Sequence, residues 1–305
     1  MAEGVNVNEI IFHLRSPTLA REATSSGREG ATVLRKRTKP TDGTEAGHSA
    51  ASLTRGLAIL RAFTADDATL GNQDLIERTG LPKATISRLT YTLVGLGYLH
   101  YDAMLGRYGI GSATVALGYS ALSSSPVIHL ARPLMQELAD QTGAAVALGT
   151  RDGLEMVYLA NCRSMSPVTL RLNVGSRLPI ARTAMGLAYL AGMEPRTRDP
   201  LIGELAAAEP EGGAALPSLI GAAIESRRKH GFVCAFGTWH SYINAAGVAF
   251  HPTDGSPLLA ITCGGIVDIV PQQTCRQIVG PALVRLAEHL RARLAGQHES
   301  VRDAG

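Results

Sequence analysis

From residue 52 to residue 96 the apolar positions recur at three- and four-residue steps, interrupted at Gly80 and Pro82, and beyond 97 they shorten to a strand-like spacing. Leu53, Leu57 and Leu60, with Ala58 and Ala62, predict a helix over about 53–64 buried along that stripe, with Ser52 placed to cap it. Asn72 is placed to cap a second helix in which Leu75, Ile76 and Thr79 face inward and which Gly80 ends. Pro82 sits at the start of a third helix, where its missing N–H costs nothing. In that helix, about 83–95, Ile86, Leu89, Leu93 and Val94 form the buried stripe, which turns Lys83, Ala84, Thr85, Ser87, Arg88 and Tyr91 outward. Two short strands, 97–101 and 107–110, about a turn at 102–106 complete a winged helix-turn-helix over 51–111.

Short polar side chains and long cations on the opening turns of a helix are the types that reach base edges and phosphates in the major groove of duplex DNA. Arg55 and, on the wing, Arg107 add candidate phosphate contacts. Three helices with a hairpin also serve as protein-docking modules, so the pattern alone leaves a second reading, a small-molecule-binding interaction module that contacts protein.

The pattern then changes. Residues 112–124, SATVALGYSALSS, carry no charge and predict a connecting helix (112–125) packed against another protein surface. Pro126 breaks it, and Ile128, Leu130, Leu134, Leu138 and Ala139 predict an amphipathic helix over 127–141. Apolar runs at 144–149, 155–160, 168–172, 245–250 and 258–263, separated by turn signals at 151–153 and 253–256, predict hairpins of an antiparallel sheet. Helices are expected at about 181–192, 216–230 and 272–295, on one side of that sheet, giving an α+β unit over 126–298 with one concave pocket. At the junction 178–186, LPIARTAMG, small residues let backbone amides approach a ligand, and the positive end of the helix dipole favours a carboxylate. Thr183 is placed to cap that helix, and Arg182 either pairs with a ligand carboxylate or is a solvated arginine at a helix start.

Composition narrows the chemistry. With 305 residues, 45% hydrophobic and 18% charged, the chain is long enough for two domains with cores of their own. No apolar run approaches the roughly 18–20 residues of a membrane span, and acids precede the brief apolar patch at 10–14, so the expected location is the cytoplasm. Residues 1–50, rich in Gly, Ser, Thr and charge, read as a disordered arm whose cluster Arg35, Lys36, Arg37 and Lys39 is either solvated or adds phosphate contacts. A net charge of +3 permits a nucleic-acid partner without identifying one. Cys162, Cys234, Cys263 and Cys275 lack metal-ligand spacing, so core thiols are expected, with no metal and no cofactor. No P-loop, HExxH or dinucleotide fingerprint occurs, and Cys263 with His240 or His251 is the sole candidate nucleophile and base; no enzymatic activity and no catalytic residue are expected.

SLTRGLAILRAF at 52–63, TGLPKATISRL at 79–89, LVGLGYL at 93–99 and RYGIG at 107–111 resemble, in order, the IclR family of bacterial transcriptional regulators. VGSRLPIARTAMGLAYLAG at 174–192, KHGFV at 229–233 and PLLAITCGGIVDIV at 257–270 extend the resemblance to about residue 295. It implies a mixed α/β chain, with a winged helix-turn-helix DNA-binding domain followed by an α+β effector domain similar to GAF and PAS modules. It also implies operator DNA and a small organic acid as partners, and a homo-oligomer, either a dimer or a dimer of dimers. Carried over, the backbone at Ala184 and Met185 and the side chains or strand positions of Asn244, Thr262 and Gly264 contact the effector. The chain departs from the family where many members have an acidic pair, having Ala235-Phe236-Gly237-Thr238-Trp239 instead, and it has Asn244 and Gly264 where Cys and Ser are common. A lost carboxylate and a gained Trp239 suggest a larger, aromatic acid.

Overall fold

Helix α1 (Thr44–Arg61) starts well before Ser52, which is therefore an interior helical residue and not a cap. The computed structural model describes residues 44–166, 170, 172–209, 213–253 and 255–302; the basic cluster at 35–39 and most of the strand expected at 168–172 lie outside the described residues. The phase of α1 also differs from expectation. Leu53 and Leu57 are 65% and 50% exposed, while Gly56 and Ile59 are buried. The inner stripe thus runs through 56, 59, 60 and 63, steps of three and four that the leucine spacing disguised.

Helix α2 (Asn72–Thr79) is capped by Gly71, not Asn72: the Gly71 amide donates to the Asp74 carboxylate at 2.9 Å. Gly80, at φ 67°, ends it in the left-handed conformation that glycine adopts without a Cβ clash. Helix α3 (Lys83–Gly95) and the hairpin β1 (Leu99–Asp102) and β2 (Arg107–Ile110) follow, with Leu70 bridging to Tyr108 beside the hairpin. Ile59, Leu70, Leu75, Ile86 and Leu99 form the small core. Thr90 is buried among them because its hydroxyl donates to the Ile86 carbonyl at 2.9 Å.

After α4 (Ser112–Ser123) and α5 (Pro126–Thr142) comes an antiparallel six-stranded sheet in the order β5-β4-β3-β8-β7-β6. Its strands are β3 (Ala145–Asp152), β4 (Glu155–Arg163), β5 (Arg177–Pro179), β6 (Val233–Phe236), β7 (Ile243–Phe250) and β8 (Leu259–Ile266). Helices cover both faces rather than one. Val146, Leu148, Val248 and Ile261 pack with α5 and α10 (Gly280–Arg302), whereas Ala147, Met156, Val233 and Ala260 pack with α6 (Ala184–Gly192) and α8 (Leu216–His230). The physical cause is in the strands: both sets of alternating positions are apolar, so neither face can be left to water. Helix α7 (Pro195–Ala208), unforeseen in the pattern, joins the second layer, and the expected helix over 272–295 is broken into the short helix α9 (Gln272–Thr274), a π-helical stretch, Cys275–Val279, and α10.

The winged unit and the α+β unit meet at a charged contact. Arg61 at the end of α1 and Arg177 on β5 both bind the Asp152 carboxylate, at 2.7 and 2.9 Å. Partial burial of Asp152 works against its charge, but Arg177 and Arg61 together hold its carboxyl below the usual range.

Candidate nucleic-acid interface and ligand cavity

On α3, Lys83, Ala84, Ser87, Arg88 and Tyr91 are exposed and Thr85 is half-buried, on the side away from Ile86 and Thr90. Lys83 and Arg88 make no ion pair among the described residues, and neither does Arg55 on α1. Their charge is therefore available to a ligand.

Arg107 is different. Its Nε donates to the Thr69 hydroxyl at 3.0 Å, and one terminal nitrogen reaches the Thr69 carbonyl at 3.0 Å and the Asp74 carboxylate at 2.6 Å. A guanidinium held this way ties β2 to the start of α2, with its charge balanced by Asp74. The Gly71 amide, with Arg107 beside it, keeps the Asp74 carboxyl below its ordinary pKa. Arg78 does the same for Asp67, assisted by the hydroxyl and amide of Thr64.

The second site is a cavity between β3, β4, β7 and β8 and the start of α6, bordered by Arg182, Ala184, Met185, Thr262 and Gly264, five of the six residues expected there. Asn244 is not among them. It is 4% exposed and its amide donates to the Val270 carbonyl at 3.0 Å, on the opposite face of β7. Side chains alternate along a strand, so the cavity receives its neighbours Ile243 and Ala245 instead; an alignment wrong by one residue flips the face.

Helix α6 begins as its sequence demands. The Thr183 hydroxyl accepts from the Gly186 amide at 3.1 Å and donates to the Pro179 carbonyl at 3.0 Å. A Cβ on Gly186 would sit 1.9 Å from the Ile180 oxygen, so only glycine lets the chain turn this tightly. The amides of Ala184 and Met185, buried at 2% and 1% exposure, have no acceptor among the described residues. Arg182 is half-exposed and paired with Glu209 at 2.7 Å, so it meets the cavity with its charge already balanced. Thr262 is buried and donates to the Ala246 carbonyl at 2.8 Å.

Tyr158, Asn161, Thr238 and Trp239 also border the cavity. Of these the sequence signalled only Trp239; Tyr158 and Asn161 lie in a run whose alternation gives no hint that both face one way. All four cysteines are free thiols. Cys263 is buried with its sulfur 3.6 Å from the Thr142 hydroxyl, and burial pushes its pKa up to about 11, the reverse of what a nucleophile needs.

Among known protein families, the IclR helix-turn-helix domain matches residues 52–103, and the bacterial transcriptional regulator IclR C-terminal domain matches 119–291. The chain is 31% identical to the HTH-type transcriptional regulator TsaQ1/TsaQ2 of Comamonas testosteroni over 80% of its own length and 88% of that protein's. It is 27% identical to the Pca regulon regulatory protein of Pseudomonas putida, over 80% of this chain and 84% of that one. A crystal structure of an IclR family transcriptional regulator from Brucella abortus superposes with a TM-score of 0.74 at 36% identity, covering 84% of this chain and all of that one (100%).

Proposed function

Since the chain belongs to the IclR family of bacterial transcriptional regulators, we propose that it is a sequence-specific DNA-binding regulator whose activity answers to a small organic acid. Members of that family are regulators and not enzymes. Lys83, Thr85, Ser87, Arg88 and Tyr91 supply base and phosphate contacts as α3 enters the major groove, Ala84 lets the helix approach closely, and Arg55 grips phosphate. Arg107 supports the unit by holding β2 against the start of α2. The observation that carries the reading is that Lys83 and Arg88 are exposed on α3 with no ion pair among the described residues, while Arg78 and Arg107 in the same unit are tied to carboxylates.

The acid sits with its carboxylate at the amides of Ala184 and Met185, beside Thr262 and Gly264. In a single chain α4 buries none of its residues, and Val115, Leu117 and Tyr119 are 64%, 63% and 71% exposed. A second copy covering this face pairs two winged units on a two-fold operator. The ligand acts by favouring one arrangement of that pair over another, since equal affinity for both would shift nothing. Such a protein works in the cytoplasm.

A footprint of the purified protein on DNA flanking its own gene, with and without a panel of aliphatic and aromatic acids, tests this. Protection of a symmetric site that one acid alters is the expected result. A complex with no steep fall of log affinity against log salt would favour a protein partner instead.

A further inference from the structure

The alternation of β4 is broken at one residue. Gly149 of β3 lies opposite Tyr158, yet the next partner, Leu148, lies opposite Ala160, so Leu159 is an extra residue, a β-bulge. An inserted residue resets which side chains share a face. Tyr158 and Asn161, three apart, consequently both border the cavity, while Ala160 and Cys162 pack beneath α5 and α10.

Both carry an unanswered polar atom. Tyr158 is 7% exposed, and its hydroxyl has no hydrogen-bond partner among the described residues. The Asn161 Nδ2 donates to the Leu172 carbonyl, which fixes the orientation of the amide because a carbonyl oxygen only accepts. Its Oδ1 is left buried without a partner among the described residues. An orphaned buried acceptor is costly, and a cavity bordered both by the residue that carries it and by one with an unpartnered hydroxyl suits a ligand group able to answer both.

We propose that Tyr158 and Asn161 form a polar subsite that reads a hydroxyl on the effector, so that the ligand is a small hydroxy acid and not a simple carboxylic acid. The ligand hydroxyl donates to Asn161 Oδ1 and accepts from the Tyr158 O–H. A carboxylate cannot replace it, because it would face Asn161 Oδ1 with a second acceptor; its place is at the amides of Ala184 and Met185. Burial keeps the Tyr158 phenol protonated far above neutral pH, hence a donor. This assignment rests on the reading of the cavity as an acid site.

The test is calorimetric titration of the full-length protein with benzoate, phenylacetate and butanoate, each against its hydroxylated counterparts. Sites built to bond a ligand hydroxyl reject the analogue lacking it strongly. At least one hydroxylated member should bind more than about tenfold tighter than its parent, and the ratio should fall towards one in Tyr158→Phe and Asn161→Leu. Thermal melts of the variants establish that they fold, and the wild-type ratio stands whether or not they do. Parents and hydroxylated members binding alike, or a preference that survives both substitutions in folded protein, overturns the subsite and leaves the acid site standing. Failure of every acid to bind overturns both.

Discussion

In the winged unit the polar side chains largely answer one another, Asp67 to Arg78 and Asp74 to Gly71 and Arg107, and, apart from the buried Asn72 Oδ1, the groups left over are cations on an exposed helix face. In the α+β unit two apolar cores enclose the sheet, and the groups left over are inside: Arg163 Nε and, around one cavity, two helix amides, Asn161 Oδ1 and the Tyr158 hydroxyl. Unpaired charge at a surface suits a large, hydrated polyanion whose binding releases counterions. Unpaired hydrogen-bonding atoms in a mostly apolar cavity suit a small ligand that must be desolvated to enter. The contrast separates the two sites by chemistry as well as by position.

Breaking the internal site at its tightest point should have the largest effect. With the Ile180 oxygen 1.9 Å from where a Cβ would lie, Gly186→Ala should cost about 3 kcal/mol or more, read as a lower thermal midpoint and loss of ligand binding. A native melt would mean the junction relaxes and the amides of Ala184 and Met185 are not fixed. Next is Arg88→Ala, expected to weaken operator affinity about 30-fold or more, as for removal of one good base or phosphate interaction of about 1–3 kcal/mol in each of two half-sites, while ligand affinity is unchanged. Thr262→Val should do the reverse, lowering ligand affinity with DNA binding intact. Parallel loss of both functions in either variant would erase the division between the units.

Much of this is legible in the chain, and what is not has identifiable causes. Gly80, Pro82 and the stripe of Ile86 and Leu89 fix α3 because local rules and tertiary packing agree there. Leu53 and Leu57 mislead because leucine is a good helix former wherever it faces, and its exposure depends on a partner that a single sequence does not display. Thr183, capping and small, announces the start of α6. Asn244 is misplaced because a strand reverses its faces at every residue, and Tyr158 with Asn161 goes unseen because a bulge has no composition of its own. The ties of Arg107 to Thr69 and Asp74 span more than thirty positions and leave no local trace.

Arg107 offers a sharper version of the contrast, with a smaller effect. If its guanidinium is a tie within the winged unit, Arg107→Ala lowers the thermal midpoint and weakens DNA binding equally across salt concentrations. If it grips phosphate, the slope of log affinity against log salt becomes shallower by about 0.9 for each phosphate no longer neutralised. Arg88→Ala is the internal standard, because a cation without an ion pair among the described residues should change the slope and leave the melt alone.

The smallest effect concerns acid. Asp67 and Asp74 have carboxyls held below the ordinary range by Arg78 with Thr64 and by Gly71 with Arg107. For a group whose folded pKa is depressed, the linked stability is fully present above the unfolded value, near 3.9 for aspartate, and is lost as pH falls through the folded one. Both pairs lie near the surface, where solvent screens them, so the winged unit should melt at a constant temperature from neutral pH to about 5 and lose a few degrees below 4. In the α+β unit Asp152 and Glu225 are likewise held below the ordinary range, by Arg177 with Arg61 and by Arg228 with Lys229, so its own melt, followed by Trp239 fluorescence, should also fall below about pH 4. Asp67→Asn should flatten the acid limb of the winged unit and lower its plateau. An unchanged acid limb in that variant would show that the pairs fix geometry without contributing stability, and that the leftover cations of α3 are set by the helix alone.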